Sequence, residues 1–164
     1  MTEAELMQLL AAITPPDEAA RAAAHAHWAS LAKPLGGLGV GGGFLYLGQA
    51  LEGTDGEVYP MAGVLPGSGH NTGRLVRFGY AAMTAKADSM LFCAGETLPI
   101  HEFHHWDSSE NGADFSVRKT EKRQWECGFA NAHLYAGFPH LYWAGTALPR
   151  RFVQAAQHFL KHKG

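Results

Sequence analysis

Seven short runs between Gly56 and Gly145 most restrict what this chain can fold into: GEVYPMAGVLPG, LVRFGYAAMTA, SMLFCAG, LPIHEFHHW, ADFSVRKT, QWECGFAN and HLYAGFPHLYWAG. Each is rich in aromatic or β-branched residues and is broken by Gly, Asp or Asn. That alphabet and spacing predict strands joined by turns. The ends of the chain read differently. TEAELMQLLAAI predicts a helix, with Thr2 and Glu5 at capping-box spacing and Leu6, Leu9, Leu10 and Ile13 as its apolar stripe. PPDEAARAAAHAHWASLAKP predicts a second, with Pro16 in the first turn, Asp17 and Glu18 complementing the dipole, and Pro34 as its stop. LPRRFVQAAQHFLKHK closes the chain as an amphipathic helix with Phe152, Ala155, Ala156 and Phe159 on one face. The expected organisation is a single α/β domain: a helical lead-in over 1–34, a strand-rich core over 35–147 and a C-terminal helix over 148–164.

Composition removes several function classes. The 164 residues are 46% hydrophobic and 17% charged, which suits one globular domain with a real core. A net charge of -2 gives no basic surplus for nucleic acid and no basic run for a membrane surface. No apolar run approaches the ~20 residues needed to span a bilayer. MTEAELMQLL is acidic where a signal peptide would be basic, and the two cysteines, Cys93 and Cys127, are too few for a disulfide framework. A cytoplasmic protein is the expectation. The unusual counts are ten histidines and twenty glycines.

The histidines supply a decoy. HEFHHW contains H-E-x-x-H, from His101 and Glu102 to His105. Zinc proteases carry that pattern on a helix, where both histidines reach one metal. Here Pro99 lies just upstream and DSSENG follows directly, so there is no room for such a helix. On a strand, His101, Phe103 and His105 share one face, and Glu102, His104 and Trp106 share the other. Glu102 and His104 would then orient each other or meet a polar ligand. No cofactor is expected, although a metal on the histidine cluster stays open as an alternative.

The glycines supply another. Gly37, Gly39 and Gly42 match G-x-G-x-x-G, with Asp55 and Glu57 downstream. A dinucleotide fingerprint follows a strand, however, and a helix end with Pro34 precedes Gly37. The alternative is a strand–turn–helix elbow, in which a short glycine-rich strand turns into a helix beginning near Phe44.

Taken in order, GGFLYLGQAL, YPMAGVLPG, RFGYAAMT, HEFHHW and NAHLYAGFPHLYW resemble one domain: the C-terminal glutamine amidotransferase-like domain of the cobyrinate (or hydrogenobyrinate) a,c-diamide synthases. The resemblance runs from about Ala20 to the C-terminal helix. It implies a class I glutaminase-type α/β fold, a flavodoxin-like sheet with flanking helices. The sheet is expected to be truncated, because the family's leading βαβ segment is replaced by the two helices. It also implies a cysteine nucleophile at the elbow. Aligned on YLG, the family run falls on Val40, Gly41, Gly42 and Gly43, and the cysteine position is Gly41. The activating histidine corresponds to His140, and Tyr142 stands where many relatives carry histidine or a carboxylate. The HEFH strand, His101 to His104, maps beside the cleft, whose expected lining is Gly42, Gly43, His101, Glu102, His104, His105 and Tyr142.

The family chemistry passes through a thioester on the cysteine, and glycine has no side chain to replace it. Val40 and the surrounding glycines depart from the family run as well, which favours natural loss over one designed change. No G-x-x-x-x-G-K-[ST] phosphate loop occurs in the sequence. The expected function is a degenerate domain without cysteine-dependent glutaminase activity. It would act in binding or as an accessory in corrinoid or tetrapyrrole metabolism, and would hold a tetrapyrrole or small carboxylate. A repurposed enzyme using His140 with water or a metal, and a purely structural subunit, are the alternatives. A truncated sheet exposes an edge, so a homo-oligomer or a partner subunit is expected to cover it.

Overall fold

The computed structural model describes residues 37–161, with Phe159 and Leu160 described by backbone alone. The two leading helices expected from the sequence lie outside the described residues. The order of elements is β1 (Gly37–Val40), α1 (Gly42–Leu47), β2 (Ala50–Glu52), β3 (Val58–Pro60), β4 (Ser68–Asn71), β5 (Arg77–Ala85) and β6 (Thr97–His104). It continues with β7 (Trp106–Ser108), β8 (Phe115–Thr120), β9 (Arg123–Cys127), β10 (Phe129–Ala130), β11 (Leu134–Gly137), β12 (His140–Leu141) and α2 (Leu148–Lys161). The fold is mixed α/β with several sheets and few helices. It is consistent with the class I glutamine amidotransferase-like, flavodoxin-like architecture.

Three sheets are present among the described residues, in the orders β1-β11-β10, β12-β6-β5-β8-β9 and β3-β2-β4-β7. The five-stranded sheet is antiparallel throughout. Its strands alternate as a sheet with one packed face must. Leu98, Ile100 and Glu102 of β6 are buried, while Thr97, Pro99 and Phe103 between them face solvent. The packed face carries the larger core, in which Met83, Ile100, Phe115 and Val117 meet Leu91, Phe92, Tyr135 and Leu148. The Phe115 ring stands edge-on to Phe92 at 4.9 Å and to Tyr135 at 5.6 Å, the offset geometry that aromatic quadrupoles favour. A second core of Phe44, Leu45, Leu65, Leu134, Ala136 and Phe138 seats α1 on the three-stranded sheet.

Three sequence expectations need correction, and one strand was not foreseen. SMLFCAG is not a strand. Leu91 and Phe92 plug the core from a loop whose backbone is bonded by side chains instead of a ladder. The Ala94 N–H donates to Asp88, the Cys93 N–H to Glu96, and Arg151 donates to the Leu91 carbonyl. Next, α1 begins at Gly42 and stops at Leu47, and the Gly48 N–H caps it on the Leu45 carbonyl, so GQAL does not prolong it. β4 has no apolar alternation to announce it, since it reads Ser-Gly-His-Asn. Finally, α2 is held by Leu148 and by partly buried Arg151 and Ala155, while Phe152 and Ala156 are exposed. Phe152 still meets Trp143 edge-on at 6.3 Å.

Candidate functional site

The site begins where two parallel strands end together. β1 and β11 run side by side in register from Gly37↔Leu134 to Val40↔Gly137. Beyond that last pair the Gly41 N–H donates to the Gly137 carbonyl at 3.0 Å, and the chain turns. Gly41 has φ 56° and ψ -115°, a conformation open to glycine and strained for other residues. Its carbonyl accepts the Leu45 N–H at 3.1 Å, the first bond of α1. This is the strand–turn–helix elbow. Of the glycines of the dinucleotide-like match, Gly37 and Gly39 lie within β1 and Gly42 opens α1.

The other strand leads away from the same point. After Gly137 the chain passes through Phe138 and Pro139 into β12, where His140 pairs across from His101 of β6. This crossing from one sheet to the other brings the His140 ring over the elbow. A Cβ built on Gly41 would lie 3.7 Å from His140 Nε2 and 3.9 Å from Cε1, and apart from its chain neighbours no other described residue comes within 4 Å of it. A Cβ on Gly42 or Gly43 would meet no described residue within 4 Å beyond its chain neighbours and its own helix backbone.

Several side chains fix the segment that carries His140. The Tyr135 hydroxyl donates to the Pro139 carbonyl at 3.0 Å from a fully buried position. Phe138 lies against Phe44 edge-on at 5.1 Å and stacks flat on His104 at 3.8 Å with an interplanar angle of 1°. His104 is held in turn. Its Nδ1 donates to the Trp106 carbonyl at 2.7 Å, and its Nε2 faces Glu102 Oε2 at 3.3 Å. Arg77 Nε stands 3.7 Å from the same carboxylate oxygen.

HEFHHW is extended and not helical, but the expected single strand ends at His104: His105 is a bend and Trp106 opens β7. Glu102 and His104 share the inner face, where they buttress the His140 segment. His101 faces out and packs edge-on against Tyr80 at 5.1 Å and Phe78 at 6.0 Å. His105 sits in the bend after β6, and Tyr142 is exposed. The predicted set is therefore split. Gly41 and His140 meet, with His101 beside His140, while Glu102 and His104 work from behind. Among the described residues, no three His, Cys, Asp or Glu side chains converge to hold a metal ion, and no carboxylate bonds to His140. Sequence reasoning missed Tyr135, Phe138 and Arg77. Their roles come from register across strands, which no local pattern announces.

Neither thiol lies within 4 Å of the Cβ position at Gly41. Cys127 ends β9 on the packed face of the five-stranded sheet, and burial pushes its thiol up to about 12. The nearby Glu102 charge acts in the same direction, and Arg77 opposes both. Tyr135 is likewise raised, first by burial. A thiol raised this far is inert near neutrality. Iodoacetamide at pH 7.5 is expected to label exposed Cys93 in the native protein and to reach Cys127 only in urea, as peptide mass mapping would show. Labelling of native Cys127 at the Cys93 rate would refute the buried assignment. The sign of the linkage also follows. A thiol that stays protonated in the fold while the unfolded chain ionises lowers stability as pH rises from about 9 towards 12.

No family model matches the chain. It is similar to the cobyrinate a,c-diamide synthase of Fusobacterium nucleatum, 37% identical over 110 residues, which is 64% of this chain and 23% of that protein. The enzyme of the same name from Salmonella typhimurium is 34% identical over 63% of this chain and 24% of its own length. That of Thermoplasma volcanium is 31% identical over 74% and 27%. The matched stretch spans about a quarter of these curated relatives. The chain holds a domain related to one part of them.

Proposed function

We propose that this chain is a cobyrinate a,c-diamide synthase-like glutaminase-type domain that no longer hydrolyses glutamine through a cysteine, and that it serves corrinoid or related tetrapyrrole metabolism as a binding or accessory domain. One observation carries the reading. The position facing His140 across the elbow is Gly41, where an added Cβ would sit 3.7 Å from Nε2. A nucleophile–base pair needs both partners within hydrogen-bond reach, and a side chain at position 41 would stand within reach of His140, which supports reading Gly41 as the place of a lost nucleophile. The neighbouring relatives act in cobyrinate amidation by name, which supports the metabolic link.

The binding role rests on the outer face of the five-stranded sheet. Phe78, Tyr80 and Phe103 are exposed there around His101, and the Phe78 and Phe103 rings meet edge-on at 5.8 Å. Aromatic walls of this kind suit a flat macrocycle or a partner subunit. Purified protein given glutamine is expected to release no glutamate, and corrinoid precursors are expected to raise its melting temperature. Glutamate release that Cys93→Ala or Cys127→Ala abolishes would sink the first part. An unchanged melting temperature with every corrinoid would sink the second.

A further inference from the structure

We propose that the core-facing end of the five-stranded sheet binds a small polyanion that also carries a hydroxyl or N–H donor. Four strands bring the residues together. Arg77 and Gly79 come from β5, Glu102 from β6, Lys119 from β8, and Arg123 and Trp125 from β9. With Lys122 they line a cavity of about 520 Å³, within the range of small-molecule sites. Neither Gly41 nor His140 lines it. Four cations, Arg77, Lys119, Lys122 and Arg123, face one carboxylate, so the unmet charge is positive.

The walls are also short of hydrogen-bond partners. Arg77 Nη1, Trp125 Nε1 and Glu102 Oε1 are buried without one, and Glu102 is only 2% exposed. Buried polar atoms in folded proteins are almost always paired. Two of these three are donors and one is an acceptor. None of the three has surface open to the cavity as it stands, so a ligand reaches them by drawing the Arg77 and Glu102 side chains towards it, and must then offer acceptor oxygens to Arg77 and Trp125 and a donor to Glu102. The cationic side is assembled before any ligand arrives. The Arg77 guanidinium lies 5.0 Å from the Trp125 ring centre, and Lys119 Nζ donates to the Phe78 carbonyl. Gly79 leaves room for that lysine, since a Cβ there would come within 3.0 Å of Nζ.

The test is calorimetry on the full chain with citrate, which has three carboxylates and a hydroxyl, and with 3-phosphoglycerate, which offers a phosphate, a carboxylate and a hydroxyl. These arms separate a carboxylate ligand from a phosphate one, and tightest binding by either supports the site. Tricarballylate, which is citrate without its hydroxyl, is expected to bind at least ten-fold more weakly than citrate. Lys119→Gln combined with Lys122→Gln, both at exposed positions, should weaken binding at least ten-fold. Trp125→Phe should weaken it several-fold, and His140→Ala should leave it unchanged. Binding of neither polyanion below millimolar concentration, tricarballylate equal to citrate, or no loss in the lysine double variant would overturn the proposal. In those cases ordered water alone serves the three buried atoms.

Discussion

A Gly41→Cys variant is expected to react with iodoacetamide at pH 7 at least about ten-fold faster than Cys93 in the same protein, since a thiol beside an imidazole ionises early. The new Cβ would sit 3.7 Å from His140 Nε2, so Sγ needs only one favourable rotamer to reach the ring. The backbone is already in the elbow conformation, with φ 56°, where a non-glycine residue is strained by roughly 1–3 kcal/mol. The variant should therefore melt earlier than the parent while becoming more reactive, the opposite of what a simple surface thiol would do. Adding His140→Ala should return the reaction rate to that of Cys93. Equal rates with and without His140 would mean that the ring does not serve this position. Glutamine turnover should lag behind thiol reactivity. No described carboxylate orients His140, and Tyr142 occupies a place where the family resemblance implies histidine or an acid.

Glu102→Leu should cost about 3 kcal/mol in urea unfolding, the scale for breaking a buried ion pair from one side. Glu102 is almost fully buried, and Arg77 is partly so. Removing the carboxylate leaves the partly buried guanidinium without its counter-charge and with its Nη1 already unpartnered. It also takes the Oε2 contact from His104, on which Phe138 is stacked. A Glu102→Leu, Arg77→Met double variant removes both charges and keeps the bulk, and should recover most of the loss. If the double variant is as unstable as the sum of the singles, packing outweighs the ion pair.

How far the sequence discloses this molecule depends on how local each cause is. β5, β6, β8 and β9 show themselves through alternation, because one side of their sheet packs and the other does not. The elbow is also readable, since a strand ending in glycines and running into FLYL leaves few other geometries. β4 is invisible because Ser68, Gly69, His70 and Asn71 owe their strand to neighbours on both sides, β2 and β7, and not to their own side chains. SMLFCAG misleads for the converse reason. Its apolar residues do enter the core, but Asp88, Glu96 and Arg151 satisfy its backbone from positions outside the run. In the site, the pairing of Gly41 with His140 follows from the family resemblance. The stacking of His104 on Phe138, and the cluster of Arg77, Glu102 and Trp125, depend on the register of several strands at once and have no linear signature.

The pairing of β1 with β11 has a consequence for the order in which the molecule assembles. Among the described residues, the first strand hydrogen-bonds only to one of the last. Such a distant closure is slow, because the chain must give up loop entropy before the ladder rewards it. A nascent chain that has emerged only as far as β9 can already form the antiparallel ladders of β5, β6, β8 and β9. Its first strand would still lack β11, and the turn at Gly41 would lack the carbonyl that receives its N–H. The elbow is thus completed only after synthesis has passed Gly137, when most of the five-stranded sheet is available as a template.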